Sequence, residues 1–142
     1  MDRFDLARFV DAQAPVYDTA LAELRAGEKR THWIWFVFPQ LAGLGHSAMA
    51  DRYAIRSQDE ARAYLAHAVL GPRLIESVET VLTVEGRSLD EIFGFPDRLK
   101  FVSSMTLFDA TAPQRRQFAQ ALDKYCGGAR DQRTLTLLGD TG

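Results

Sequence analysis

At 142 residues the chain suits one domain, long enough to bury about two thirds of its unfolded surface without disulfides or a structural metal. Hydrophobic residues at 46%, charged residues at 25% and a net charge of -2 are globular values that give no electrostatic reason to expect nucleic acid or an anionic membrane as partner. The lone Cys126 has no internal disulfide partner, the N-terminus lacks the basic then apolar run of a secretion signal, and no apolar run nears the roughly 20 residues of a membrane span, so a soluble cytoplasmic protein is expected.

In chain order, Asp5 is positioned to cap a first helix carrying Leu6, Phe9, Val10 and Gln13, which Pro15 interrupts. Tyr17, Leu21 and Leu24 recur at helical steps on a second helix, closed by Gly27. Ser57 with Glu60 forms the pattern of a capping box before a helix whose Ala61, Tyr64, Leu65 and Ala68 share a face. Gly71 and Pro72 restart the chain, and Leu74, Ile75, Val78, Val81 and Leu82 give the clearest 3.6-residue pattern, ended by Gly86. Ser88 with Glu91 is a second box, opening a short helix with Leu89, Ile92 and Phe93 that Gly94 and Pro96 terminate. The segment from Pro96 to Phe108 is apolar almost all round and should lie centrally. Thr111 with Gln114 then predicts a cap for a helix carrying Phe118, Leu122 and Tyr125 before Gly127 and Gly128, and Asp131 caps a last turn with Leu135, Leu137 and Leu138. With no convincing alternating run to pair as a sheet, the fold expected is mainly α: a single helical domain over residues 1–142 with about seven helices.

One stretch stands apart from this amphipathic pattern. Thr31 to Ser47 holds both tryptophans (Trp33 and Trp35), Phe36, Phe38, two of the three histidines and a Gly43-Leu-Gly45 turn. Residues Trp33 to Phe38 are aromatic and β-branched but too few for periodicity to decide between a short helix and an extended segment. Gly43-Leu-Gly45-His-Ser-Ala48 fits the G-x-G-x-x-A form of a dinucleotide fingerprint. Four residues, Pro39 to Ala42, separate it from the apolar run, however, and no second strand follows, so a plain glycine turn is the better reading. Gly45-His-Ser47-Ala-Met49 lacks the second glycine of a nucleophile elbow. His32, His46 and His67 have no metal-ligand spacing, so neither a metal nor a cofactor is expected.

Polar residues on the apolar Pro96 to Phe108 segment carry a cost unless each finds a partner, and Lys100, Ser103, Ser104 and Thr106 fall there. Two readings stay open: hydroxyls bonded back to helix carbonyls with Lys100 reaching for water, or a helix lining a pocket in which Lys100 meets an anion. The aromatic stretch is likewise open between core and a stacking platform for a ligand ring.

The run His32-Trp-Ile-Trp-Phe-Val-Phe-Pro-Gln40, then Gly43-Leu-Gly45-His-Ser47, Tyr53-Ala-Ile, Leu70-Gly-Pro-Arg-Leu74, Lys100-Phe and Ser103-Ser-Met-Thr-Leu-Phe108, resembles the bacterial domain of unknown function 1810 family over nearly the whole chain. Some of its members carry the label calpastatin, an inhibitor that is an extended disordered chain, whereas this composition folds. The resemblance implies a mainly α-helical fold and no assigned activity. A fainter similarity, through Glu60-Ala and Leu70-Gly-Pro-Arg73, is to proteins proposed to process ADP-ribose derivatives and riboflavin intermediates by N-glycoside cleavage, in which a carboxylate stabilises an oxocarbenium-like centre. For that chemistry Glu60 or Asp51 would have to serve.

The functional expectation is a site for a nucleotide- or nucleoside-like small molecule between the Trp33 to Ser47 segment and the Pro96 to Phe108 helix. It draws on Trp33, Trp35, Phe38, Gln40, Gly43, Gly45, Ser47, Tyr53, Lys100, Ser103 and Ser104, with N-glycoside hydrolysis as its enzymatic form. The alternative is a non-catalytic interaction module that docks a protein partner on the aromatic stretch. A concave pocket holding Lys100 and an indole would favour the first, and a flat exposed apolar patch the second.

Overall fold

The computed structural model describes residues 2–141, which form ten helices and no strand. The excess over about seven comes from two short helices in and after the aromatic stretch, too brief for a 3.6-residue pattern to register, and from the expected last turn, which extends into a full helix.

Helix α1 (Ala7–Gln13) is capped from further out than Asp5. The Asp2 carboxylate accepts from the amides of Leu6 and Ala7 at 2.7 and 2.8 Å, and the Ala7 and Leu6 amides hold its carboxyl below the usual range. Asp5 itself lies in the left-handed region at φ 53°, where it turns the chain and cannot cap. Helix α2 (Tyr17–Ala26) buries Tyr17, Leu21 and Leu24 as their spacing predicts, and Gly27 closes it at φ 73°. The aromatic stretch condenses into one helical turn, α3 (Ile34–Val37), followed by the loop to α4 (Ala48–Arg52), which Ser47 caps by accepting from the Ala50 amide at 3.0 Å.

Helix α5 (Gln58–Ala66) starts on half of the expected capping box. Ser57 Oγ accepts from the Glu60 amide, but the Glu60 carboxylate turns to the Arg56 amide at 3.0 Å and to the Arg8 guanidinium at 2.8 Å. Both partners of this Arg8–Glu60 pair are largely buried, so charge pairing outcompetes the box. Ala68 lies beyond the helix end and is exposed. Helix α6 (Leu70–Leu82) buries Leu74, Val78 and Val81, and α7 (Leu89–Phe93) has the complete Ser88–Glu91 box.

Helix α8 (Asp97–Thr111) occupies the centre expected of an all-round apolar segment, packing on α3, α5 and α7 as well as on α9 (Arg116–Cys126) and α10 (Gln132–Thr141). Thr111 does not cap α9. It is the last residue of α8, its hydroxyl donates to the Leu107 carbonyl at 2.8 Å, and α9 begins five residues after the predicted cap with no side-chain bond. Asp131 does cap α10, accepting from the Thr134 amide at 3.0 Å. No helix among the described residues is long and apolar enough to cross a membrane.

Candidate functional site

A cleft of about 280 Å³ opens between the 40–45 loop, one side of α8 and the start of α10. The loop's course is set by a parallel bridge between Leu41 and Ile55: the Ile55 amide donates to the Gln40 carbonyl at 2.9 Å, and the Ala42 amide donates to the Ile55 carbonyl at 2.8 Å. Gly45 is required here because a Cβ would stand 2.5 Å from the Ala50 Cβ and 3.2 Å from Gln40 Nε2. The loop thereby lies close enough for Gln40, Leu44 and Gly45 to form one wall.

The opposite wall is α8. Pro96 and Leu99 give it an apolar edge, while Lys100 and Ser103 present polar groups. Lys100 Nζ lies 3.6 Å from Asp97 Oδ1, but the other oxygen of that carboxylate is 2.8 Å from Lys29 Nζ, whose side chain is almost wholly buried. Asp97 is therefore spent mainly on Lys29, and the Lys100 ammonium keeps most of its charge for the cleft. Ser103 Oγ donates to Asp131 Oδ2 at 3.2 Å, and the amide and hydroxyl of Thr134 donate to the same oxygen. Among the described residues Asp131 Oδ1 receives no hydrogen bond. Nor do the Gln40 carboxamide or the Lys100 ammonium make one there. Arg133 completes the rim, its Nη2 donating to the Gly43 carbonyl at 3.4 Å.

Of the residues the sequence marked out, the fold thus brings Gln40, Gly45, Lys100 and Ser103 to one cleft, with Gly43 at its rim under Arg133. The aromatic residues go elsewhere. Trp33 is fully buried, its indole N–H donating to Glu23 Oε1 at 2.9 Å, and Phe38 is fully buried edge-on to Phe93 and Phe101. Trp35 packs half-buried against the core, and Tyr53 is buried against Phe9 and Phe36. The stretch therefore offers no flat exposed apolar patch. Ser47 is an exposed helix cap, and Ser104 is a fully buried core residue whose hydroxyl has no partner among the described residues. Asp51 is exposed and loosely paired with Arg56, while Glu60 is buried beneath Arg8, and neither lines the cleft. Thr106 follows the structural reading, donating to the Val102 carbonyl and accepting from the Asp131 amide. At Cys126, burial pushes the thiol up despite the nearby Arg98, which works against a nucleophilic thiolate.

Asp131 and Arg133 were missed as site residues because nothing local joins them to a loop 90 positions away. Asp131 gave only a capping signal, and Arg133 gave none.

The model of a family described as protein of unknown function (DUF1810) matches residues 3–138. The chain is a DUF1810 protein. It is similar to the crystal structure of the conserved hypothetical protein Rv1873 from Mycobacterium tuberculosis, at 58% identity over 97% of this chain and 99% of that one, with a TM-score of 0.96. No curated protein matches it. The all-helical architecture of this DUF1810 protein is thus shared with a neighbour whose name assigns no activity.

Proposed function

We propose that the cleft between the 40–45 loop and α8 binds a small anionic metabolite of roughly nucleoside size. The observation that carries this reading is the Lys100 ammonium, whose one ion pair is a loose contact with an Asp97 already engaged by Lys29, lining a concave site with the Gln40 side chain and an apolar edge. Uncommitted donors and acceptors on a preformed concavity are what a ligand exchanges for water at least cost. Lys100 and Arg133 suit an anionic group, Gln40 offers a donor and an acceptor to a polar ring edge, and Leu44, Pro96 and Leu99 suit an apolar ring face. The volume stands at the lower end of ligand pockets, about 300 to 1,000 Å³. That favours a nucleoside or nucleotide fragment over a whole dinucleotide.

An N-glycoside-cleaving form of the same reading draws support from Asp131. Its Oδ2 is held by three donors while Oδ1 faces no protein donor among the described residues, an arrangement that orients a carboxylate for electrostatic or base catalysis. This role replaces Glu60 and Asp51 in the proposal, since both lie outside the cleft. Asp131→Asn is expected to keep ligand binding and lose ribose release.

The binding proposal is tested by thermal-shift and calorimetric titration against NAD, ADP-ribose and flavin precursors. Lys100→Met should leave the melting temperature within a few degrees and weaken binding of an anionic ligand about ten- to a hundredfold, the value of a charge-assisted hydrogen bond. Affinity unchanged by Lys100→Met would overturn it. Trp33→Phe gives the converse expectation: stability falls by about 1 to 2 kcal/mol through the lost indole donor and packing, while affinity of the folded fraction is unaltered. A weakened affinity there would return the indole to the site.

A further inference from the structure

A second cleft, of about 430 Å³, lies where the N-terminal segment meets the connection between α4 and α5, and four arginines line it: Arg3, Arg8, Arg52 and Arg56. Against them stand two carboxylates, Asp5 and Glu60, on a chain whose net charge is -2. The four guanidiniums are not equivalent. Arg8 is fully engaged, donating to the carbonyls of Phe4, Asp5, Arg52 and Ala54 and to the Glu60 carboxylate, so it ties the N-terminal segment to the α4–α5 connection and has no donor left. Its charge is also met by Glu60 at 2.8 Å.

The other three differ from Arg8 in what they touch. Arg3 and Arg52 have no carboxylate within 4 Å among the described residues; each guanidinium lies over the ring of its own neighbour, Phe4 at 5.0 Å and Tyr53 at 5.5 Å. The Arg56 guanidinium makes one hydrogen bond, to the Asp51 carbonyl at 3.2 Å, and a loose ion pair with the Asp51 carboxylate at 3.6 Å, both partners largely exposed. Such a pair is readily exchanged. Arg8 therefore fixes the walls, and around them stand Arg3 and Arg52, whose planar forks are free, and Arg56, whose exposed pair with Asp51 can exchange. A guanidinium drawn over an aromatic ring by cation–π attraction keeps its N–H edges open, which suits bidentate oxyanion recognition.

We infer that this cleft is a separate site for the phosphate groups of a phosphorylated small molecule, held by Arg3, Arg52 and Arg56 on a frame that Arg8 builds. The concavity and the small number of free arginines favour a compact polyanion over a nucleic acid, which tracks along an extended basic surface.

Inorganic pyrophosphate is the probe. Calorimetric titration of the intact protein should give saturable binding that weakens as salt rises. The double variant Arg3→Ala/Arg52→Ala should weaken it at least tenfold, and Arg56→Ala should weaken it further, with melting temperatures close to wild type because these side chains are exposed. The part of the binding that Arg3→Ala/Arg52→Ala removes should persist in Lys100→Met, which separates this site from the one across the Gln40 loop. The inference fails if pyrophosphate does not saturate, if the double variant binds as tightly as wild type, if Lys100→Met abolishes the binding, or if a single-stranded RNA oligonucleotide binds more tightly than pyrophosphate through the same arginines.

Discussion

Gly71→Ala is expected to destabilise the protein by about 3 kcal/mol or more, lowering its melting temperature by about 10 °C. A Cβ at position 71 would stand 2.1 Å from the Leu65 carbonyl oxygen and 3.0 Å from its carbon, so the obstacle is backbone and cannot rotate away. Helix α6 would have to slide off the end of α5, breaking the packing of Leu70 and Leu74 behind it. The sign is diagnostic. Gly71 is the second residue of α6, and at an unobstructed helical position alanine is better than glycine, by up to about 1 kcal/mol in a helix interior and less in a first turn. A clash and an open site therefore predict opposite shifts in a denaturation midpoint. Exposed Glu79→Ala on the same helix is the control, expected within about 0.5 kcal/mol of wild type. A more stable Gly71→Ala protein would show that the two helices do not approach this closely.

Glu23→Ala should cost about 3 kcal/mol, because one buried carboxylate holds the entry to the aromatic stretch. Its oxygens accept from the Arg30 and Thr31 amides at 2.8 and 3.1 Å, from the Thr31 hydroxyl at 2.7 Å and from the Trp33 indole at 2.9 Å. Truncation leaves the indole N–H of a fully buried tryptophan without its acceptor, which costs more than a surface bond is worth. Burial alone would raise the Glu23 carboxyl, but the Arg30 amide, the Thr31 hydroxyl, the Trp33 indole and the Thr31 amide together outweigh it and hold the group below the usual glutamate range. A depressed folded-state value gives stability that is complete above the unfolded carboxylate range and is lost as the pH falls through the depressed value. The gap between wild type and Glu23→Ala in urea melts should accordingly be full at pH 7 and narrow in acid, with Trp33 emission shifting in the variant. A gap below about 1 kcal/mol, or one that does not change with pH, would remove Glu23 from this role.

Glu23 also illustrates what sequence patterns miss. It lies among the helical spacings of α2 without announcing itself, because its four donors come from a segment whose approach is tertiary. Glu60 shows the related failure of a local rule. Its three-residue spacing from Ser57 is that of a capping box, and the Ser57 half forms, yet the carboxylate is drawn instead to Arg8, 52 positions earlier. At Ser88 and Glu91, both exposed and with the carboxylate in no ion pair among the described residues, the same spacing gives the complete box.

The all-helical class, the bounds of α2, the glycine stop of α9 and the central burial of α8 were determined by the sequence itself, because apolar spacing and glycine stops act within a few residues of where they are written. Lys100 was legible as an unusual polar residue in apolar surroundings, and Gln40 as part of the stretch that breaks the amphipathic pattern, both local signals. Which groups they meet was not. The joining of Gln40 to Asp131 and Arg133, the diversion of Asp97 to Lys29, and the sinking of Trp33 and Phe38 into the core were decided only by the tertiary structure. Whether a side chain is core or site depends on what packs against it, and those neighbours lie tens of residues away, where no local period records them.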